Sequence, residues 1–220
     1  MNKYKTTERF YVDHAIYFIT TKTQNNYPYF KNNVFADLLI MQLKLSKKIH
    51  GFELYAFNIL YDHLHLIIKP SEKSDISKIM FSIKKQFSHS CNTIMGFNKL
   101  MFDSNGPMAG SNARGNVGEE TFLPLRSRQY HTNASLPNLL EQIHDYISRH
   151  RKDIPKSNDP KFKWQKSFYY RVIRNEKEFN VKYLYTINNH LKHAEKWGYD
   201  YPTDYKYSSI NHIDWTDFIY

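Results

Sequence analysis

The chain has 220 residues, 16% of them aromatic, and only 7 glycines and 8 prolines, which excludes a fibrous or low-complexity protein. Its 31 lysines and arginines exceed its 21 acidic residues, and the net charge of +10 is typical either of a protein with a polyanionic partner such as nucleic acid or of a solubilising surface. Because Cys91 is the sole cysteine and no stretch is long and apolar enough to cross a bilayer, we expect a globular cytoplasmic protein without disulfides or a membrane partner.

The chain begins with a predicted strand and helix. Residues 15–21 are mostly β-branched and aromatic, which is typical of a β-strand. Asn32 or Asn33 can serve as the N-cap of a helix that ends at Gly51. The apolar residues of this segment lie on one helical face, at Val34, Leu38, Met41, Leu45 and Ile49.

A hairpin and a second helix follow. Residues 52–68 are long enough for two strands joined by a tight turn at residues 61–62. Ser74 is the predicted N-cap of the second helix, and Gly96 is its predicted stop. The apolar stripe of this helix consists of Ile76, Ile79, Met80, Ile83, Phe87, Cys91 and Ile94.

The regular spacing of apolar residues is lost after the second helix and returns further along the chain. Residues 97–160 are rich in glycine, asparagine and serine at first, and they predict an insertion of loop and helix, with the helix at 136–149. Residues 166–173 predict a fourth strand. Asn175 followed by Glu178 predicts the start of a third helix, because the pair resembles a capping box.

The predicted order is strand, helix, strand, strand, helix, strand, helix. Its first six elements follow the split βαβ plan, so the predicted fold class is α+β, with a ferredoxin-like antiparallel sheet and helices on one face. A C-terminal helix follows the sheet. We therefore expect a single domain over residues 1–220, with the insertion at 97–160 inside it.

Two histidines of the predicted third strand form a pattern that points to metal binding. His63 and His65 flank Leu64, and side chains on a strand alternate between its two faces. The imidazoles therefore lie side by side on one surface while Leu64 faces the core. Two imidazoles at that spacing can hold one metal ion, although surface or structural histidines give the same pattern.

The third helix carries a second candidate group. At about 100° per residue, Tyr185 lies roughly 160° from the centre of the apolar stripe, away from the packing face of the helix, and Asn189 lies one turn beyond it. Tyr183 lies on the stripe and is a core candidate. The stripe consists of Phe179, Tyr183, Leu184, Ile187 and Leu191.

The sequence resembles the single-tyrosine HUH transposases, whose motif is histidine, hydrophobic residue, histidine. More narrowly, it is similar to the REP-associated tyrosine transposases, relatives of insertion-sequence transposases. The matching segments, in chain order, are residues 15–20, 63–68, 83–87, 164–169, 172–176, 185–189 and 204–209.

The resemblance implies an enzyme that cleaves and transfers single-stranded or hairpin DNA through a covalent 5′-phosphotyrosine. His63, His65 and Asn189 would bind a divalent metal ion, Mg²⁺ or Mn²⁺, and Tyr185 would be the nucleophile. The resemblance also implies a prokaryotic protein that is associated with the nucleoid when it is bound to DNA. A homodimer or a monomer is compatible with it. The candidate phosphate contacts are Lys84, Lys85, Lys166, Arg171 and Arg174.

Two alternatives remain open at this point. One is a non-cutting protein that binds structured DNA or RNA, and the other is a metal-dependent phosphodiesterase that uses water as its nucleophile. The chain also departs from its relatives, which have Pro-Asn where it has Tyr61-Asp62 and Asn-Pro where it has Asn189-His190. Without that proline the third helix can continue toward Trp197. His190 and His193 lack a partnered motif and are expected to be surface residues that lie near the proposed site.

Overall fold

The computed structural model describes residues 12, 14–98, 135–153, 159–202 and 204–217. Its strands are β1 (Ile16–Lys22), β2 (Glu53–Leu60), β3 (His63–Lys69) and β4 (Tyr169–Ile173). Its α-helices are α1 (Asn33–His50), α2 (Ile76–Ile94), α3 (Ser135–Asp153), α4 (Glu176–Ile187) and α5 (Asn189–Trp197). None of the helices within these residues is long and apolar enough to cross a bilayer.

The four strands form one antiparallel sheet in the order β2-β3-β1-β4. The hairpin β2-β3 is antiparallel and closed by a tight turn, as predicted. Strand β1 lies between β3 and β4, so α1 and α2 each connect strands that are not neighbours. This is the split βαβ arrangement, and the predicted ferredoxin-like α+β fold is confirmed.

One face of the sheet packs against α1 and α2 and contains the larger core. The side chains of Leu64, Leu66 and Ile68 on β3 are fully buried there. The predicted stripe of α2 is buried along its whole length. Helix α3, which lies in the predicted insertion, packs against α1 and α2. Most of residues 97–160 lie outside the described residues, so the single domain with an insertion remains a prediction.

The opposite face of the sheet is covered by α4, which contacts β2 and β3. A smaller apolar cluster fills this contact. It consists of Phe18, Tyr55, Ala56, Ile67, Ile173 and Ile187. The helices of the first six elements lie on one face, as predicted, and the C-terminal helices lie on the other.

The ends of the helices are mostly where local signals predicted them. Asn32 caps α1 by accepting from the backbone N–H of Val34 at 3.0 Å, and Gly51 ends it in the left-handed region at φ 65°. The predicted N-cap of α2 was wrong by one residue. Asp75 accepts from the Lys78 N–H at 2.8 Å, because the hydroxyl of Ser74 is hydrogen-bonded to His50 instead.

The third helix is not continuous. It ends at Ile187, and α5 begins at Asn189 and runs to Trp197, where Gly198 ends it at φ 64°. The Asn58 amide donates to the carbonyl of Thr186 at 2.9 Å, and the Ser208 hydroxyl donates to that of Ile187 at 2.8 Å. These bonds come from β2 and from the C-terminal segment. They take up carbonyls at the end of α4, where the helical axis breaks.

Candidate active site

Strand β3 presents two imidazoles on the face covered by α4. The rings of His63 and His65 have centroids 4.8 Å apart and planes at 87°. Each residue is only 4% exposed, and Leu64 between them is fully buried on the other face. The alternation predicted from the sequence is therefore present, and the two rings lie in one partly enclosed site.

Each histidine is oriented by a hydrogen bond at Nδ1. Nδ1 of His63 lies 2.5 Å from Oδ1 of Asp62, and Nδ1 of His65 lies 2.8 Å from the hydroxyl oxygen of Thr20. A carboxylate beside Nδ1 holds the proton on that nitrogen, so Nε2 keeps its lone pair. Nε2 of His65 is buried and has no hydrogen-bond partner among the described residues.

Asn189 supplies the third predicted group. It is 1% exposed, and its Oδ1 is also buried without a hydrogen-bond partner among the described residues. Its side chain lies close enough to His65 to raise the pKa of that imidazole, although the two side chains form no hydrogen bond of good geometry. A buried polar atom without a partner is costly, and here two of them are close together. Two imidazole nitrogens and an amide oxygen fit a divalent cation.

The protonation state of His65 is compatible with binding of a divalent cation. Burial lowers the pKa of His65 well below its usual value, and nearby His63 and His193 lower it further. The Asn189 side chain opposes part of this decrease. His65 is therefore neutral at neutral pH, as a metal ligand must be. No three His, Cys, Asp or Glu side chains in the part of the chain that the structure describes are arranged to hold a metal ion, so the third donor would be the amide.

Tyr185 lies beside the histidines of its own chain. Its ring centroid is 5.4 Å from that of His65 and 5.8 Å from that of Phe18, with both contacts edge-on. The prediction that Tyr185 faces away from the packing face of its helix was wrong, since its ring packs on the sheet. Leu184, assigned to the apolar stripe, is instead 57% exposed. The stripe was drawn along one continuous helix, and the break at Asn188 removes Leu191 from it.

Asn58 is a positioning residue that the sequence reading missed. It is fully buried on β2 and pairs with His65 across the sheet. Its amide donates to the carbonyls of Thr186 and Ile187, at 2.9 and 3.3 Å, and so fixes the end of α4 just before Asn189. An amide inside an otherwise apolar strand was the available signal.

His190 is buried and His193 is partly buried, contrary to the expectation that they lie on the surface. The ring of His193 is 5.0 Å from that of His63, and its buried Nδ1 has no hydrogen-bond partner among the described residues. Burial and the proximity of His63 lower the pKa of His193. Nδ1 of His190 lies 3.1 Å from the amide of Asn58. The spacing of four residues from Asn189 to His193 was a usable signal, because it places both side chains on one helical face.

Three of the five predicted phosphate contacts line one groove, and the two arginines contact Glu178. Lys84, Lys85 and Lys166 line a groove of about 620 Å³ between α2 and residues 162–168. Arg171 donates to a carboxylate oxygen of Glu178 at 2.5 Å, and the backbone N–H of Arg174 donates to the other at 3.1 Å. Arg171 thus anchors the start of α4.

Comparisons with known proteins agree with this fold. Residues 11–101 match the family model described as IS200-like transposase. A comparison with curated proteins gave no significant match. A solved structure of a REP-associated tyrosine transposase bound to a REP hairpin has a TM-score of 0.55 and 19% identity, and covers 100% of this chain and 94% of its own.

A putative transposase from Deinococcus radiodurans R1 has 23% identity and a TM-score of 0.31, over 38% of this chain and 63% of its own. This similarity covers too little of either chain to support a conclusion. The similarity to the REP-associated transposase shows the fold. Residues 11–101 thus match the IS200-like transposase family model, and the chain has the fold seen in the REP-associated tyrosine transposase structure.

Proposed function

We propose that this protein is a metal-dependent enzyme that cleaves and rejoins single-stranded DNA through a covalent 5′-phosphotyrosine on Tyr185. The observation that carries the proposal is the convergence of three groups from two helices and a strand. Nε2 of His65 and Oδ1 of Asn189 are buried without partners, and the Tyr185 ring lies 5.4 Å from the His65 ring.

The metal ion would be held by Nε2 of His63 and His65 and by Oδ1 of Asn189. Bound there, Mg²⁺ or Mn²⁺ would polarise the scissile phosphate and offset charge in the transition state. The Asp62 carboxylate keeps the proton of His63 on Nδ1 and leaves its Nε2 available, and the hydrogen bond to Thr20 orients the ring of His65. Neutral His65 adds no positive charge that would repel the cation.

Tyr185 would act as the nucleophile. Its hydroxyl loses a proton, its oxygen forms a bond to phosphorus, and the bond from phosphorus to the 3′ oxygen breaks. The leaving oxygen takes up a proton and becomes a free 3′-hydroxyl. Because the new linkage is still a phosphodiester, a second 3′-hydroxyl can reverse the reaction and join a different DNA end without ATP.

The partner we propose is hairpin DNA with a single-stranded flank. The REP-associated transposase of the same fold is bound to a REP hairpin. The net charge of +10 favours a polyanion, and unpaired bases can stack on exposed aromatic side chains. The Tyr185 ring lies beside His65 of the same chain. A monomer would therefore suffice for cleavage.

The test uses labelled hairpin DNA, Mn²⁺ and a denaturing gel. We expect label linked to the wild-type protein and none linked to Tyr185→Phe. The matched control is Tyr183→Phe, two residues earlier on α4, where the ring stacks on Phe179. It should form the adduct at the wild-type rate.

The other outcomes separate the alternatives. Cleavage without linked label would favour water as the nucleophile. Tight binding without cleavage, in Mn²⁺ or Mg²⁺, would favour a non-cutting DNA- or RNA-binding protein. Linked label that persists in Tyr185→Phe would refute the assignment of the nucleophile.

A further inference from the structure

Two lysines that the sequence reading did not single out flank the ring of Tyr185. Nζ of Lys192 lies 4.9 Å from the centre of that ring, and Nζ of Lys182 lies 5.6 Å from it. Lys182 also lies 4.7 Å from the centre of the Phe18 ring. The lysines come from α4 and α5, on either side of the break at Asn188. The break therefore brings two cations to one phenol ring.

Lys182 and Lys192 differ in their contacts from the lysines that form ion pairs with carboxylates. Lys47, Lys69 and Lys206 each form an ion pair with a carboxylate, at 2.8, 3.1 and 3.2 Å. Within the described residues, neither Lys182 nor Lys192 has a carboxylate within ion-pair distance. Their ammonium groups contact aromatic rings only, which leaves their hydrogen-bond donors available to an anion.

Lys22 adds a positive charge from a third element, strand β1. Lys22 on β1 pairs with His63 across the sheet, and so lies on the same face as the histidines. The acidic side chain nearest to the histidines, Asp62, is already bonded to His63. The region around Tyr185 therefore has more positive than negative charge before any metal ion binds. An anion is the complement of that arrangement.

We propose that Lys182 and Lys192 form a phosphate clamp that holds the backbone of single-stranded DNA at Tyr185. This rests on the proposed function, since that function brings a phosphate to the Tyr185 oxygen. A lysine ammonium is a point charge on a flexible stem, so it can leave the ring and follow a phosphate a short distance away. Two such groups on opposite helices would contact neighbouring phosphates and align the strand for attack.

A purely structural role makes a different prediction. Lysine stems often cover apolar rings while the charge stays in water, and then only the methylene groups matter. Substitution with methionine keeps most of the stem and removes the charge. A packing role predicts that Lys182→Met and Lys192→Met behave as wild type, whereas a clamp predicts weaker binding of DNA.

The experiment measures the affinity for a fluorescent single-stranded hairpin oligonucleotide as a function of salt concentration. All variants are made in a Tyr185→Phe background, so that no covalent adduct forms. Each phosphate contact contributes about 0.7 to the slope of log affinity against log salt for single strands. We expect each single methionine variant to lose about 0.7 of that slope and the double variant about 1.4.

The control is Lys177→Met, an exposed lysine of α4 upstream of the clamp. It should keep the slope of the parent protein. Lys182→Arg and Lys192→Arg should also keep it, because the charge remains. A double methionine variant that is folded and has the slope of Lys177→Met would overturn the proposal. If the double variant is unfolded by circular dichroism, the two single variants decide.

A second measurement separates this proposal from the proposed function. With Tyr185 restored, the double methionine variant should need more DNA for half-maximal adduct formation, while the rate at saturating DNA changes less. If wild type forms no adduct but the salt slopes differ as expected, the cleavage chemistry is wrong and the clamp stands. If wild type forms the adduct and the slopes are equal, the clamp is wrong and the chemistry stands.

Discussion

The two faces of strand β3 have different roles: one packs in the core, and the other carries the candidate site. Leu64, Leu66 and Ile68 are fully buried against the α1–α2 layer, in the larger apolar cluster. His63 and His65 point the other way, into a smaller cluster covered by α4. Because successive residues alternate, one short strand serves both the core and the candidate site. The strand holds the imidazoles rigidly because its other side is firmly packed.

Two buried asparagines, one on each side of the sheet, differ in how their side chains are hydrogen-bonded. Asn92, a buried residue of α2, is hydrogen-bonded through both side-chain atoms, since its Nδ2 donates to the Phe162 carbonyl at 3.1 Å and its Oδ1 accepts from the Phe162 N–H at 2.8 Å. Asn189, on the site face, has a buried Oδ1 without a partner among the described residues. Such an atom costs about 1–3 kcal/mol. A bound cation would remove that cost at Asn189.

The largest expected effects come from truncating residues on the two faces of β3. Leu66→Ala should lower the free energy of unfolding by about 2–5 kcal/mol, because it leaves a cavity in the larger core. It should leave the affinity of the folded protein for Mn²⁺ nearly unchanged. His65→Ala should do the opposite. It should weaken Mn²⁺ binding by more than about 100-fold, since a ligand matters more than its outer partner.

Urea unfolding and isothermal titration with Mn²⁺ measure the two effects. If His65→Ala destabilises the metal-free protein as much as Leu66→Ala does, His65 is a core residue and the division between faces fails. If Leu66→Ala alone abolishes Mn²⁺ binding under conditions where it remains folded, the site depends on core packing in a way that the geometry does not indicate.

Much of this division was predictable because its causes are local. The alternation at His63 and His65 follows from the geometry of any strand, and the caps at Asn32, Gly51 and Asn175 depend on a few neighbouring residues. The order of the elements then gave the ferredoxin-like plan. Each of these inferences needs only short segments of sequence.

The errors have distant causes. The carbonyls at the end of α4 are bound by Asn58 and Ser208, and no helical wheel of α4 includes either residue. The resulting break separates α5 from α4 and lets His193 lie against His63. The packing of α4 on β2 and β3 places the Tyr185 ring beside His65. The choice of Asp75 over Ser74 as a cap was likewise decided by His50, from another helix. Tertiary contacts, absent from any local pattern, set these details.

A smaller effect tests how the site face orients its ligands. Asp62→Ala removes the carboxylate beside Nδ1 of His63, so both tautomers of that imidazole become available. We expect Mn²⁺ affinity to fall about 10–100-fold, as is usual for such outer partners of metal ligands. Titration calorimetry with Mn²⁺ measures this directly.

Asp75→Ala is the matched control, because Asp75 caps α2 on the other face of the sheet. It should lower the free energy of unfolding by about 1 kcal/mol and leave Mn²⁺ affinity unchanged. Equal losses of metal affinity in the two variants would mean that net negative charge, rather than orientation of His63, attracts the ion.

The smallest expected effect is a loss of stability of the metal-free protein at acid pH. Burial lowers the pKa of His65 well below its usual value of 6.5, so the folded metal-free protein keeps it neutral where the unfolded chain takes up a proton. The free energy of unfolding should therefore fall as the pH drops below about 6.5, by no more than about 1.4 kcal/mol per pH unit for this residue, and the loss should stop below its folded pKa. Above that range the residue contributes no pH dependence, since it is neutral in both states.

Chemical unfolding of the metal-free protein between pH 7 and 5 tests this, with His65→Asn compared with His89→Asn. Burial also lowers the pKa of His89, but this residue lies on α2 and far less deeply in the protein. Both substitutions should flatten the acid slope, and His65→Asn should flatten it further into acid. Equal slopes would mean that the pocket around His65 opens to water in the folded state. Its Nε2 would then be hydrated rather than held without a partner, and the contrast between the two faces of β3 would lose its physical basis.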